Sequence, residues 1–141
     1  MRTIKFRGKD IKTGKWFYGN YYDRDTKGNT HIANLDEGCL TIDPETVGQY
    51  TGLKDKNDKP IYEGDIVECV SWNEYFTNPA TGEVMQPFRR KMYVDFRKGG
   101  FKMVEPMPYG IEVREWDIIY NGDIEIIGNI YDNPELLNKE D

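Results

Sequence analysis

Apolar and polar residues alternate over short stretches of this chain, which is the pattern of strands that bury one face. Residues 4–7 alternate Ile and Phe with Lys and Arg, and residues 16–22 are rich in aromatic side chains, which favour strands. Between these stretches, Thr13 and Gly14 are typical turn residues. The pattern therefore predicts an N-terminal hairpin.

The middle of the chain continues the succession of short strands and turns. Residues 55–58 are Asp, Lys, Asn and Asp, and such side chains favour turns because they bond to the nearby backbone. A second corner is predicted at Gly64 and Asp65, where Asp65 is expected to accept main-chain hydrogen bonds. Apolar runs predict strands over residues 31–33, 39–42, 47–50 and 65–70.

Residues 71–90 interrupt this pattern, because several pairs of turn-forming residues fall within them, and we predict a long loop there. Residues 91–97 alternate again, so Met92, Val94 and Phe96 point to one face and are expected in the core. The glycine pair that follows predicts a hairpin turn and a returning strand.

The C-terminal part contains two apolar-rich stretches, residues 114–120 and 123–131, and the Asn-Gly pair between them is a strong hairpin signal. Residues 132–137 then predict a short closing helix. Asn133 is its expected N-cap and Pro134 its first residue.

Closely spaced strands and turns indicate a mainly β fold, either a small antiparallel barrel or a rolled sheet. A length of 141 residues fits a single domain over residues 1–141, and 10 Tyr, 6 Phe and 3 Trp favour strands. No apolar run reaches the length of a membrane span, and the N-terminus lacks the apolar core of a secretory signal. We therefore expect a cytoplasmic protein without a membrane partner.

Residues that commonly carry catalysis or bind metals are scarce in this sequence. The single histidine, His31, and the single serine, Ser71, show none of the spacings of a catalytic triad. Cys39 and Cys69 lack a metal-binding spacing and are expected to be reduced thiols. The Asp-x-Asn pattern at residues 55–57 lacks the other ligands of a calcium loop. The sequence thus predicts no catalytic residue, no metal site and no cofactor, and we do not expect an enzyme.

The formal net charge is −6, which argues against indiscriminate binding of nucleic acid. Basic residues are nevertheless concentrated over residues 89–102, here called the basic hairpin. Small barrels bind single strands by stacking bases on aromatic side chains in a basic groove. The alternative is a solvated hairpin that attracts an acidic segment of its own or of a neighbouring chain. The candidate interaction surface comprises Arg89, Arg90, Lys91, Tyr93, Arg97, Lys98 and Lys102.

Two motifs, over residues 50–67 and 124–137, resemble those of the YopX-like family of phage and prophage proteins. Residues 4–7 and 14–16 fit the same family, so the resemblance covers most of the chain. It implies an SH3-like barrel and brings no catalytic residues. Asp58 stands where the family usually has Gly, in a turn whose tight geometry favours left-handed backbone.

Together, pattern and resemblance predict a small antiparallel SH3-like barrel with an extra N-terminal hairpin, a long loop over residues 71–90 and a short C-terminal helix. The expected function is that of a phage- or prophage-encoded, non-catalytic interaction module. It would bind a protein partner or associate with itself. The alternative is a nucleic-acid-associated protein that uses the basic hairpin.

Overall fold

The computed structural model describes residues 4–71, 80–82, 88–106, 113–118 and 124–138. Within these ranges the chain consists mainly of strands and turns, and the strands pair antiparallel. This arrangement confirms the prediction of a mainly β protein. No helix in the described part is long and apolar enough to cross a membrane.

The first sheet is built from the N-terminal half of the chain. Its strands are β1 (Phe6–Lys9), β2 (Trp16–Tyr22), β3 (Thr30–Asn34), β4 (Gly38–Ile42), β5 (Gly48–Lys54) and β6 (Pro60–Tyr62). Their order in the sheet is β4-β3-β2-β1-β5-β6. β1 and β2 form the predicted N-terminal hairpin, in which Arg7 lies opposite Tyr18. A 3-10 turn over Pro44–Thr46 leads from β4 to β5.

The strands of the second sheet are β7 (Asp65–Ser71), β8 (Phe88–Arg97), β9 (Gly100–Pro106), β10 (Val113–Asp117) and β11 (Ile124–Asn129). Their order in the sheet is β10-β9-β8-β7-β11. The predicted turn between β8 and β9 is confirmed, because Lys98 and Gly99 both adopt positive φ, as a two-residue hairpin turn requires. The Asn-Gly turn predicted at residues 121–122 lies outside the described residues.

Each sheet has its own buried cluster of apolar side chains. In the first sheet Phe17, Ile32 and Ile42 form the cluster, which alternation along β2, β3 and β4 directs to one face. The larger cluster belongs mainly to the second sheet but includes Ile61 from β6, so the two sheets share part of their core. Its buried members are Ile61, Val67, Met92, Val94, Met103 and Ile124.

Backbone hydrogen bonds join the two sheets at two places. At the corner between β6 and β7, the Gly64 N–H donates to Val94 O at 2.7 Å, and Gly64 O accepts from the Ile130 N–H at 2.8 Å. At the edge of β11, the Lys56 N–H donates to Ile124 O at 2.8 Å. The turn that joins β5 and β6 therefore covers the outer edge of the second sheet.

The prediction of a closed SH3-like barrel is not confirmed. Within the described residues the strands form two separate sheets, whose edge strands are β4 and β6 in one and β10 and β11 in the other. The chain leaves the first sheet at Gly64, which has φ 87°, and starts the second at Asp65, so consecutive strands diverge. Because the sheets do not close into a barrel, their edges remain, and local contacts such as the Lys56–Ile124 hydrogen bond cover part of them.

The predicted long loop over residues 71–90 is shorter at both ends. β7 extends to Ser71 and β8 begins at Phe88, because the two strands pair in register from Ile66 opposite Tyr93 to Ser71 opposite Phe88. Residues 72–79 and 83–87 lie outside the described residues. The loop prediction therefore holds at most for the region between these two strands.

The predicted C-terminal helix is a single 3-10 turn over Pro134–Leu137. Asn133 precedes it but its side chain caps no helical N–H. The side-chain oxygen of Asn133 instead accepts a hydrogen bond from the Asn129 N–H at 3.3 Å, at the end of β11. Asn138 returns to extended backbone, so the helix ends after one turn.

Phe96 was expected in the core with Met92 and Val94, and that expectation is wrong: its side chain is 51% exposed. The pairing of β7 with β8 reaches only to Tyr93, so β8 extends past the core with β9 as its neighbour. Phe96 packs edge-on against Phe101 there, with ring centroids 5.2 Å apart.

Candidate functional site

The basic hairpin carries cations that are largely paired with carboxylates of the same chain. Arg97 donates to Asp95 and to Glu115, each at 2.9 Å, and Lys98 lies 3.2 Å from Glu115. The Arg97 hydrogen bond, followed by that of Lys98, lowers the pKa of Glu115. Arg97 also donates to the Tyr93 hydroxyl at 3.1 Å. The tip of this hairpin is therefore charge-compensated.

The other cations of the predicted surface do not converge on the same place. Arg90 lies on the face of β8 opposite to Arg97, where it pairs with Glu105 at 3.1 Å and lies over the Trp116 ring. Arg89 pairs with Glu68 at 2.8 Å, and Lys91 is exposed. Lys91 is separated from the hairpin tip by about 20 Å of strand. Lys102 lies opposite Asp95 on β9.

A cleft of about 410 Å³ opens where the two sheets meet. It is called the junction cleft below. Four separate parts of the chain contribute to it, namely the N-terminal hairpin, the β5–β6 hairpin, the start of β7 and β11. Its lining consists of Lys5, Arg7, Tyr18, Lys59, Pro60, Tyr62, Asp65 and Ile126.

The floor of the junction cleft is a buried ion pair between Arg7 and Asp65. Arg7 is 6% exposed, and its Nη2 donates to Asp65 Oδ1 at 2.7 Å and to Glu63 O at 3.3 Å. The guanidinium carbon lies 4.5 Å from the centre of the Trp16 ring and 5.0 Å from that of Tyr62. Aromatic faces hold cations in this way, so the Arg7 head group is fixed on several sides.

Asp65 uses both of its carboxylate oxygens for structure. Oδ1 accepts from Arg7, and Oδ2 accepts from the Tyr62 N–H at 2.8 Å. Burial raises the pKa of Asp65, and the Arg7 charge opposes that shift. The structure thus places Gly64 and Asp65 at the corner between the sheets, and this corner also forms the bottom of the cleft.

Tyrosine rings form one wall of the cleft. Tyr62 is buried between Tyr18 and Tyr50, with centroid distances of 5.5 and 5.6 Å. Burial raises the pKa of Tyr62 to about 12. Tyr18 is 39% exposed and presents its ring at the surface. A bound molecule would therefore contact Tyr18, which Tyr62 supports from behind.

Two lysines lie at the rim. The Lys5 ammonium is 5.6 Å from the centre of the Tyr18 ring, and Lys59 is exposed beside Pro60. Among the described residues, neither ammonium forms an ion pair. The cleft lining has three cationic side chains and one carboxylate, whereas the whole chain carries a net charge of −6. The rim is thus a positive site on an acidic protein.

The buried Arg7 has one unsatisfied donor. Its Nε has no hydrogen-bond partner among the described residues, although Nη2 of the same guanidinium donates to Asp65 and to Glu63 O. An unsatisfied buried donor costs stability, so it is uncommon in native proteins. It lies in the side chain that forms the cleft floor.

The remaining reactive side chains lie away from this cleft. The His31 ring on β3 is hydrogen-bonded to Asp25 Oδ2 at 2.8 Å. This hydrogen bond is the largest cause, and that from the Asn29 backbone the next, of a pKa of Asp25 lowered to about 2. Cys39 is exposed on the edge strand β4, while Cys69 is half-buried on β7. The described structure gives none of these residues a place in the cleft.

Sequence reasoning missed the junction cleft because its residues are far apart in the chain. Arg7 and Asp65 are separated by 58 positions, and the residues around neither of them predict the ion pair. The available signal was indirect: the family-like stretches 4–7 and 50–67 supply most of the lining residues.

Comparison with known proteins adds information on the family and the fold. A family model described as YopX protein matches residues 5–138. Among solved structures, the chain is similar to protein EF1440 from Enterococcus faecalis, with a TM-score of 0.51, 23% sequence identity, and coverage of 98% of this chain and 100% of that chain. At this identity the likeness concerns the fold alone. No curated protein matches the chain.

Proposed function

The chain belongs to the YopX family, and we propose that it is a phage- or prophage-encoded interaction module. It would bind a protein partner in the host cytoplasm without catalysis of its own. The junction cleft is the proposed contact site. One observation carries the proposal: the exposed ring of Tyr18 lies in the same cleft as Lys5 and Lys59, whose ammonium groups form no ion pair among the described residues.

The construction of the cleft supports binding. Tyrosine is enriched among the residues that contribute most to protein interfaces, and the cleft exposes the ring of Tyr18. The Arg7–Asp65 pair fixes the floor, and a rigid site loses less conformational entropy when a partner binds. Tyr18 is held by its contacts with Tyr62 and Lys5, so it is largely preorganised.

The same contacts support a non-catalytic role. Both oxygens of Asp65 are already hydrogen-bonded, so proton transfer by this carboxylate would break the corner. A pKa of about 12 keeps Tyr62 protonated at neutral pH, where it is a poor general base.

The nucleic-acid alternative stays a prediction. Ion pairs within the chain already occupy Arg89, Arg90, Arg97 and Lys98. Phosphate contacts by these side chains would have to compete with their carboxylate partners. The exposed Lys5 and Lys59 have no such competition among the described residues, so the cleft is the better candidate surface.

Site-specific photo-cross-linking tests the proposed function. We would replace Tyr18 with the photoreactive residue p-benzoylphenylalanine and irradiate host cells that produce the protein. We expect a reproducible covalent adduct with one protein, because Tyr18 lies at the contact surface. The matched control places the same group at Tyr22, which is exposed on the same strand outside the cleft lining.

Reversal of the rim charges completes this experiment. The double variant Lys5→Glu/Lys59→Glu should abolish the adduct at position 18 if the lysines hold the partner. Equal adducts at positions 18 and 22, or none at position 18, would show that the cleft is not the contact site. An adduct between two copies of the chain would identify self-association as the interaction.

A further inference from the structure

We propose that the junction cleft recognises an acidic peptide segment in which an apolar side chain is flanked by carboxylates. This inference rests on the proposed function, since it names the chemistry of the partner at the same site. The apolar side chain would enter the cleft against Tyr18 and Ile126, and the carboxylates would pair with Lys5 and Lys59.

Charge complementarity determines the sign of the ligand. Two ammonium groups without ion-pair partners in the described structure flank the opening, on a protein of net charge −6. Charges at an interface mainly accelerate association and select the partner, and they exclude ligands of the same sign. A partner with carboxylates on both sides of its contact residue satisfies both lysines. A basic or neutral segment satisfies neither.

The walls determine what lies between the carboxylates. Tyr18, Pro60 and Ile126 present apolar surface, and Tyr62 closes the back of the cleft. The polar groups of the floor are largely used internally, since Asp65 binds Arg7 and the Tyr62 backbone. A cleft with apolar walls, whose floor carboxylate is already hydrogen-bonded, favours an apolar or aromatic side chain over a polar one.

A single-stranded nucleic acid fits these observations less well than a peptide. Its backbone carries a negative charge at every nucleotide, so binding requires a track of cations along the protein surface. Within the described ranges the cleft offers two ammonium groups without an ion-pair partner, and Glu63 and Glu125 lie on neighbouring segments. One exposed ring, Tyr18, would be the stacking surface in the cleft lining. A short acidic peptide requires only the groups that are present.

Fluorescence anisotropy with labelled hexapeptides tests the inference on the purified full chain. The probe is Asp-Glu-Phe-Leu-Glu-Asp. One control, Asn-Gln-Phe-Leu-Gln-Asn, removes the charges, and another, Asp-Glu-Ser-Ser-Glu-Asp, removes the apolar residues. We expect each control to bind at least about tenfold more weakly than the probe, because each removes one half of the recognition. Binding of the probe should also weaken as salt is added.

Variants of the protein locate the binding site. Lys5→Glu/Lys59→Glu should weaken probe binding by at least about tenfold, whereas Lys12→Glu/Lys27→Glu should change it by less than about twofold. The second pair makes the same change in net charge at exposed lysines outside the cleft lining. Tyr18→Ser should also weaken binding, and circular dichroism would verify that each variant is folded.

Several results would overturn the inference. These are the absence of probe binding, equal binding of the neutral peptide, equal losses in the two lysine variants, or tighter binding of hexathymidylate than of the probe. The peptide comparison on the unmodified chain is decisive even if a variant fails to fold. A cross-linked partner at position 18 without binding of the acidic probe would refute the ligand class and leave the proposed function intact. Failure of both experiments would refute both.

Discussion

Asp55 is a charged residue that is only 1% exposed, and it bonds two segments of the chain at once. Its Oδ1 accepts from the N–H groups of Asn57 and Lys59, each at 2.9 Å, which forms the turn between β5 and β6. Its Oδ2 accepts from the Ile126 N–H at 3.0 Å, on the edge strand β11. Burial favours the neutral form, but these three backbone donors outweigh it and lower the pKa of Asp55.

Removal of this carboxylate should be strongly destabilising. Asp55→Ala leaves three backbone N–H groups without an acceptor, and we expect a loss of about 2–4 kcal/mol in the free energy of unfolding. Asp55→Asn retains one acceptor oxygen and should lose about half as much. Urea denaturation measures both. Asn57→Ala, in the same turn but exposed, is the control and should be nearly neutral. Equal stability of Asp55→Ala and the parent would show that the hydrogen bonds of the Asp55 carboxylate do not stabilise the fold.

At the level of the strands, β2 changes its partner along its length. Residues Trp16–Gly19 pair with β1, and Asn20–Tyr22 pair with β3. Gly19 lies at the change, where a Cβ atom would stand 2.2 Å from the backbone oxygen of Ala33. Glycine therefore permits the close approach of β2 and β3 at this point.

Gly19→Ala should consequently disrupt the first sheet, because a backbone oxygen cannot move aside as a flexible side chain would. We expect a loss of about 2–3 kcal/mol, at the upper end of the usual cost of overpacking. The matched control is Gly100→Ala in β9, where the nearest atom to an added Cβ is Lys102 Nζ at 4.0 Å. Thermal denaturation of the two variants provides the comparison. Similar melting temperatures would contradict the close packing at Gly19.

For the molecule as a whole, Asp132 connects the turn after β11 to the N-terminal hairpin. It pairs with Lys9, and it accepts from the Trp16 indole N–H at 2.8 Å and from the Asn129 amide at 3.0 Å. These hydrogen bonds, with that of Lys9 the largest, lower the pKa of Asp132 to about 2 from an ordinary value of 3.8. This contact with the N-terminal hairpin, unlike the backbone hydrogen bonds at Gly64 and Lys56, therefore depends on an ionised carboxylate.

The direction of the pH dependence follows from this pKa. Between pH 3.8 and about 2 the unfolded chain binds a proton at Asp132 that the folded chain does not, so stability falls as the pH falls through this range. Asp132→Asn should be less stable than the parent at neutral pH, and the difference should shrink towards pH 2. Urea midpoints across this range, with Asp36→Asn as a control for loss of an exposed acid, provide the measurement. A constant difference would show that Asp132 makes no pH-dependent contribution.

Local regularities of the sequence determined the β character of the protein, most strand positions and its tight turns. Alternation with period two and the turn preferences of Asn, Asp and Gly act within a few residues, so they can be read without the fold. The left-handed Asp58, at φ 64°, and the Lys98-Gly99 turn are examples. Family membership followed from the same motifs, because they span most of the chain.

The tertiary structure alone decided how the strands are divided into two sheets, and therefore where the candidate site lies. Alternation predicted which face of β8 is apolar. It did not predict that β8 extends beyond its pairing with β7, which leaves Phe96 exposed. It likewise placed Arg7 on a strand without indicating that Asp65, 58 positions later, would bury it. Such contacts depend on which strands lie side by side after long-range pairing. The identity of the residue at either position does not determine that arrangement. The junction cleft exists only because four distant segments converge at one corner.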